Sequence, residues 1–162
     1  MAITKIHPIK ATLNLAIDYI TNEAKTDEKI LVTTNNCFPA TAHTQFLKTR
    51  EDNNVKGNVL ARHLIQSFLP NETTPEQAHQ IGLDLCNKIL KDEYEFVLTT
   101  HIDKGHVHNH IVFCAADNIE HNKYHDCKQS YYHIRKLSDE LCKEHNLSVI
   151  IPGAQRGRKY KE

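Results

Sequence analysis

The stretch His101-Ile-Asp-Lys-Gly-His106-Val-His108-Asn-His110-Ile-Val-Phe113 decides both the sheet and the chemistry of this chain. Residues 95–101 and 107–115 are strand-like, rich in β-branched and aromatic side chains, and flank Ile102–His106, so the two arms form a β-hairpin around that turn. Gly105 is expected to supply the conformational freedom of the turn. Side chains alternate faces along a strand, which puts His106, His108 and His110 on one face and Val107, Asn109, Ile111 and Phe113 on the other. Opposed residues on antiparallel strands project to the same side. If His101 pairs with His108, it joins the histidine face, whereas a slip of one residue turns it away.

Outward from the hairpin, strand and helix patterns alternate along the whole chain with no repeat, low-complexity tract or Pro/Gly-rich linker. Strands are expected at 2–6, 29–34 and 59–68, with weaker ones at 123–127 and 149–151. A helix over 9–21, entered after Pro8, carries Ile9, Leu13, Ala16, Ile17 and Ile20 on one stripe with Tyr19 at its edge. Further helices are expected at 40–52, at 75–91 with Thr74 as N-cap and Pro75 in the first turn, and at 130–145. The pattern is that of one α+β domain spanning 1–162.

With 40% apolar and 25% charged residues, the chain has the composition of a folded globular protein. No apolar run approaches the roughly 18 residues of a spanning helix, and the N-terminus lacks the basic and apolar regions of a secretory signal. A cytoplasmic protein without membrane insertion is the expectation. Five scattered cysteines without a C-x-x-C pair signal neither a disulfide framework nor a thiolate zinc site. Twenty basic and 20 acidic residues cancel, so any polyanion must be held by a local cluster of cations. The last stretch, 153–162, is one such cluster, with Arg156, Arg158, Lys159 and Lys161 against Glu162, and the chain is expected to be the N-terminal part of a longer protein.

Eight of the 12 histidines fall between His101 and His145. Three neutral imidazoles on one divalent cation leave its charge uncompensated and coordination positions open, which suits a Lewis acid gripping phosphate or activating water. The competing reading is a solvent-facing strand on which histidines merely alternate with apolar residues. Geometry alone admits either His110 or His106 beside His101 and His108. Asp103 is a candidate for orienting a ligand.

The run His101-x-Asp103 followed by His108-x-His110-Ile-Val-Phe113 resembles the third motif of the HUH endonucleases, specifically relaxases of the MobA/MobL mobilisation type from plasmids and conjugative transposons. Two further segments extend the resemblance over most of residues 1–150. Ile9–Asn22, with Asp18-Tyr19-Ile20, resembles the first relaxase motif, and Arg62-His-Leu-Ile-Gln-Ser-Phe68 with Pro70-Asn-Glu-Thr73 resembles the second. Asn71 stands where the family pattern leads one to expect glycine.

The resemblance implies a central, mainly antiparallel five-stranded sheet flanked by helices, with one metal ion held by His101, His108 and His110. Manganese or magnesium is expected, although histidine ligands also suit zinc. Tyr19 is implied as the nucleophile on single-stranded or hairpin origin-of-transfer DNA, with Asp103 or His106 taking the phenol proton. Lys5, Lys10, Arg62, His63, Gln66 and Ser67 are candidate DNA contacts. Accessory relaxosome proteins and a type IV secretion coupling protein are the implied partners in conjugation. Other readings are a rolling-circle replication initiator using Tyr131 or Tyr132 after the histidines, a three-histidine metal hydrolase or oxygenase that does not need Tyr19, and a metal-stabilised binding module.

Overall fold

A computed structural model describes residues 2–27, 31–52, 54–117 and 123–149, the side chains of Asp103 and Lys104 excepted. The order is β1 (Ile3–Ile9), α1 (Leu13–Ile20), β2 (Val32–Asn35), α2 (Ala42–Asp52), β3 (Ala61–Ser67), α3 (Pro75–Leu90), β4 (Phe96–Lys104), β5 (His106–Cys114) and α4 (Lys128–Glu144). The five strands form one sheet in the order β1-β3-β5-β4-β2, every neighbour antiparallel. The expected α+β class and five-stranded sheet are therefore found.

The β4–β5 pairing sets Phe96 opposite Phe113, Thr99 opposite His110 and His101 opposite His108, the register on which the histidine cluster depends. The turn is tighter than the expected five-residue loop. Pairing resumes at Lys104–His106 after an irregularity between His101 and Lys104, and Gly105 does not take a positive φ. The bulge, rather than a left-handed glycine, absorbs the twist of the closing hairpin.

Both sheet faces are covered. On one side Leu64, Leu98, Ile111 and Phe113 pack under Ile81 and Leu85 of α3 and Ile134 and Leu141 of α4. On the other, Ala61, Val97, Val112 and Cys114 pack under Leu13, Ile17 and Ile20 of α1 and Phe46 of α2. Full burial of each such large side chain contributes about 1.5–3 kcal/mol. Helix α3 starts as its sequence predicts, with Thr74 Oγ1 accepting from the Gln77 amide and Pro75 next. No helix among the described residues is long and apolar enough to cross a membrane.

Two boundaries differ from the periodicity. Strand β1 runs on through Pro8 to Ile9, so α1 begins only at Leu13. Proline is tolerated there because β1 is an edge strand with β3 as its sheet neighbour. The expected strand at 123–127 reduces to one bridge between Ala116 and Lys123. Residues 150–151 of the expected edge strand and the basic stretch 153–162 lie outside the described residues. Of the five cysteines, Cys37, Cys86, Cys114 and Cys142 are buried and all five are free thiols.

Candidate functional site

The site lies on the sheet face covered by α1 and α2. Register and alternation place His101 of β4, His108 and His110 of β5, and His63 and Ser67 of β3 on that face. The ring centres of His101 and His110 are 4.1 Å apart, and those of His108 and His110 are 6.1 Å apart and nearly parallel. His106 extends the row toward the turn, its ring 4.0 Å from that of His108. His110, rather than His106, is the ring that adjoins His101.

Tyr19 reaches the cluster from α1. Leu13, Ile17 and Ile20 sit at helical spacing and bury their side chains, which leaves Tyr19 on the flank, 47% exposed and at the edge of the histidines. Its ring meets those of His101 and His110 edge-on, at 5.7 and 6.4 Å between centres. The Lys25 ammonium stands 5.2 Å from the centre of the same ring. His101 is tied to the helix itself, because its Nε2–H donates to the Ile20 carbonyl at 2.9 Å in a buried contact. That bond sets both the ring and the end of the helix next to Tyr19.

Two of the six expected DNA contacts point away from this face. Gln66 is fully buried on the opposite side, its amide donating to Ser138 Oγ at 2.8 Å and accepting from Asn109 at 3.0 Å. Arg62 is on that side too and pairs with Asp126 at 2.9 Å. Alternation explains both, since the motif's odd and even positions cannot share a face. His63, Ser67 and Lys5 are on the histidine face, and Lys10 is exposed just beyond β1. Asp103 lies in β4, with its side chain outside the described residues.

The tyrosines of the replication-initiator reading are across the sheet. Tyr131 opens α4, which packs on the face opposite the histidines, and its hydroxyl donates to the Thr4 carbonyl at 3.0 Å. Neighbouring Tyr132 rides on the same helix. The loop after β3 also resolves: Asn71 takes φ +60°, the left-handed conformation that glycine would supply and that asparagine tolerates.

His63, expected as a DNA contact, also adjoins the histidine cluster. Its Nε2 lies 2.9 Å from His110 Nδ1, and it pairs across the strands with His7. Burial, reinforced by His7 and His101, pulls the His63 imidazole down to about 4, so it is neutral near pH 7. The signal was a second histidine on a strand adjoining β5, legible only with the strand order known.

The donor set fits a divalent cation. Imidazoles sharing an ion at about 2.1 Å hold their ring centres roughly 5 Å apart, and the 4.1 and 6.1 Å spacings bracket that value. The bond from His101 to a backbone carbonyl is the kind of outer contact that fixes a ligating imidazole's tautomer. Among the described residues no group of three such side chains stands in ligating geometry.

The model of the MobA/VirD2-like relaxase nuclease domain matches residues 19–147, which include Tyr19 and all three hairpin histidines of the cluster. The chain belongs to the MobA/VirD2-like relaxases. This relaxase chain is 40% identical over 149 residues to a protein rlx of Staphylococcus aureus, covering 92% of itself and 43% of that protein. A second rlx protein of the same species is 37% identical over 158 residues, covering 98% of this chain and 48% of its own length. The relaxase chain thus spans less than half the length of these two relatives. It is also 44% identical over 84 residues to the group II intron-interrupted relaxase LtrB of Lactococcus lactis subsp. cremoris, covering 51% of this chain and 14% of that one.

Solved structures agree on the fold. The MobM relaxase domain bound to plasmid pMV158 oriT DNA, in a manganese-bound crystal structure, aligns with a TM-score of 0.70 at 12% identity over 99% of this relaxase and 94% of that chain. A chain solved for the molecular basis of vancomycin resistance transfer in Staphylococcus aureus aligns with a TM-score of 0.63 at 14% identity, covering 92% and 96%.

Proposed function

We propose that this domain nicks single-stranded or hairpin origin-of-transfer DNA by transesterification, with Tyr19 as nucleophile and His101, His108 and His110 holding one divalent cation, manganese or magnesium. The observation that carries the reading is the meeting of an exposed tyrosine ring with two of three clustered imidazoles on one sheet face. Family membership supports it. The larger setting, with accessory relaxosome proteins and a type IV coupling protein in the bacterial cytoplasm, belongs to the same proposal.

A cation bound by the three imidazoles supplies Lewis acidity at the non-bridging phosphate oxygens. The remaining work falls to the chain. The tether from His101 to Ile20 holds the end of α1 against the cluster and so keeps the Tyr19 ring beside the imidazoles. Tyr19 Oη forms a bond to phosphorus while the bond from phosphorus to the 3′ oxygen breaks. The phenol proton passes to a neighbouring base, and the departing oxygen takes one up as a 3′-hydroxyl. The 5′-phosphotyrosyl link conserves the ester, so a 3′-hydroxyl can attack it in reverse and reseal the strand.

Lys25, near the phenol ring, and Lys5 and Lys10 at the β1 edge are the cations on this reading for the DNA backbone. His106 and Asp103 remain candidates for the proton acceptor. His106 borders His108, whereas His101 and His110 border Tyr19.

The test is incubation with a pool of single-stranded oligonucleotides and manganese, read by denaturing gel and peptide mass mapping. A DNA adduct on Tyr19 is expected, with Tyr19→Phe lowering its formation by roughly a thousandfold or more. Cleavage without an adduct, equally fast in Tyr19→Phe, would overturn the assignment in favour of a metal hydrolase.

A further inference from the structure

Building on the proposed metal role of His110, we infer that His63 is a positioning residue that accepts the Nδ1–H of His110 and so turns the lone pair of His110 Nε2 toward the cation. The two side chains meet through His63 Nε2 and His110 Nδ1 at 2.9 Å, with ring centres 5.1 Å apart. A neutral imidazole carries one proton, and its two nitrogens point to different sides of the ring. A bond at Nδ1 therefore aims Nε2 of His110 away from His63. If His63 donated instead, Nε2 of His110 would carry the proton and present N–H where a ligand needs an electron pair.

The arrangement is built in by the sheet. His63 sits on β3 between two strands, opposite His7 of β1 and opposite Val112 of β5, so its ring is delivered beside His110 by strand register. His101 shows the parallel device on the next strand, where a backbone carbonyl accepts Nε2–H and leaves Nδ1 as the basic nitrogen. One ligating ring is thus oriented by a carbonyl and the other by a histidine. Side-chain partners of this kind typically alter metal affinity by about 10–100-fold.

Two measurements on the intact domain decide it. Long-range ¹H–¹⁵N NMR of the metal-free protein should show His110 as the Nδ1–H tautomer, switching toward Nε2–H in His63→Leu. Manganese titration should show about 10–100-fold weaker binding in His63→Leu, and His63→Gln, whose Oε1 can accept the same proton, should return affinity to within about threefold of wild type. Wild-type His110 found as Nε2–H, or His63→Leu binding manganese as tightly as wild type, overturns the inference. Failure of the wild type itself to bind manganese counts instead against the proposed metal site, while the metal-free tautomer still reports on His63.

Discussion

At the scale of single residues, the site joins side chains of opposite character. His101 and His110 are buried, whereas Tyr19 stands on a helix flank at the surface. Each buried ring meets a protein group, the Ile20 carbonyl for His101 and His63 for His110. His108, proposed as the third ligand, has its Nδ1 3.5 Å from Ser67 Oγ on the neighbouring strand. Manganese at a hundredfold excess over its Kd should stabilise the wild-type domain by about 2.7 kcal/mol. His108→Ala should abolish most of that gain while folding normally, as read by thermal melts with and without the ion. Tyr19 and the histidine motif were legible from residue type and spacing. The contact of His63 with His110 was not, because the two are 47 residues apart in sequence.

At the scale of elements, the histidine hairpin is clamped from behind by a directional chain of hydrogen bonds that runs from half-buried into buried surroundings. Thr33 donates to His79 Nε2 at 2.7 Å, His79 Nδ1–H donates to Thr100 at 2.8 Å, and Thr100 donates to Asn109 at 2.7 Å. Asn109 then donates to Gln66 and to the Ala78 carbonyl, joining β2, α3, β4, β5 and β3. Asn109 lies between His108 and His110 in sequence, so this network resists the one-residue slip that would scatter the histidine face. Close approach of α3 requires Gly82, where an added Cβ would stand 2.6 Å from Asn109 Nδ2 and 3.0 Å from Leu98 Cδ1. Gly82→Ala should therefore destabilise the domain by about 1–3 kcal/mol in denaturant titrations, despite alanine's better helix propensity.

The same network predicts a pH dependence. Burial lowers the His79 pKa below its ordinary value of 6.5. The unfolded chain then binds the proton more readily than the folded one, so the His79 contribution is present above about pH 6.5 and is lost as pH falls toward the depressed folded value. Replacing His79 by Gln should flatten that part of the stability profile between neutral and mildly acidic pH, measured by chemical denaturation at a series of pH values. Thr74, Pro75 and the apolar spacing of α3 were visible in sequence, but the target of its polar residue was not.

For the molecule as a whole, zero formal charge argues against strong nonspecific adhesion to nucleic acid. Lys5, Lys10 and Lys25 are the cations assigned to the backbone, and three neutralised phosphates imply a logarithmic salt slope of roughly −2 for single strands. Fluorescence anisotropy across a salt series should give a slope of that size. A much steeper slope would show a larger basic surface, and reversing the Lys5 and Lys10 charges should shallow the slope without removing manganese binding.

By itself the sequence determined the α+β class, the hairpin and the histidine face, because residue alternation and helical spacing are local consequences of backbone geometry, whereas the candidate nucleophile came from the resemblance of Asp18-Tyr19-Ile20 to the first relaxase motif. Tertiary structure decided which elements met. Strand order β1-β3-β5-β4-β2 brought His63 to His110, α1 brought Tyr19 to His101, and α4 carried Tyr131 to the far face. Arg62 and Gln66, though they share a motif with His63 and Ser67, were turned inward by the two-residue period of β3 and then engaged by Asp126, Asn109 and Ser138. Such pairings depend on long-range packing and on the need of every buried polar group for a partner, and neither is contained in the order of neighbouring residues.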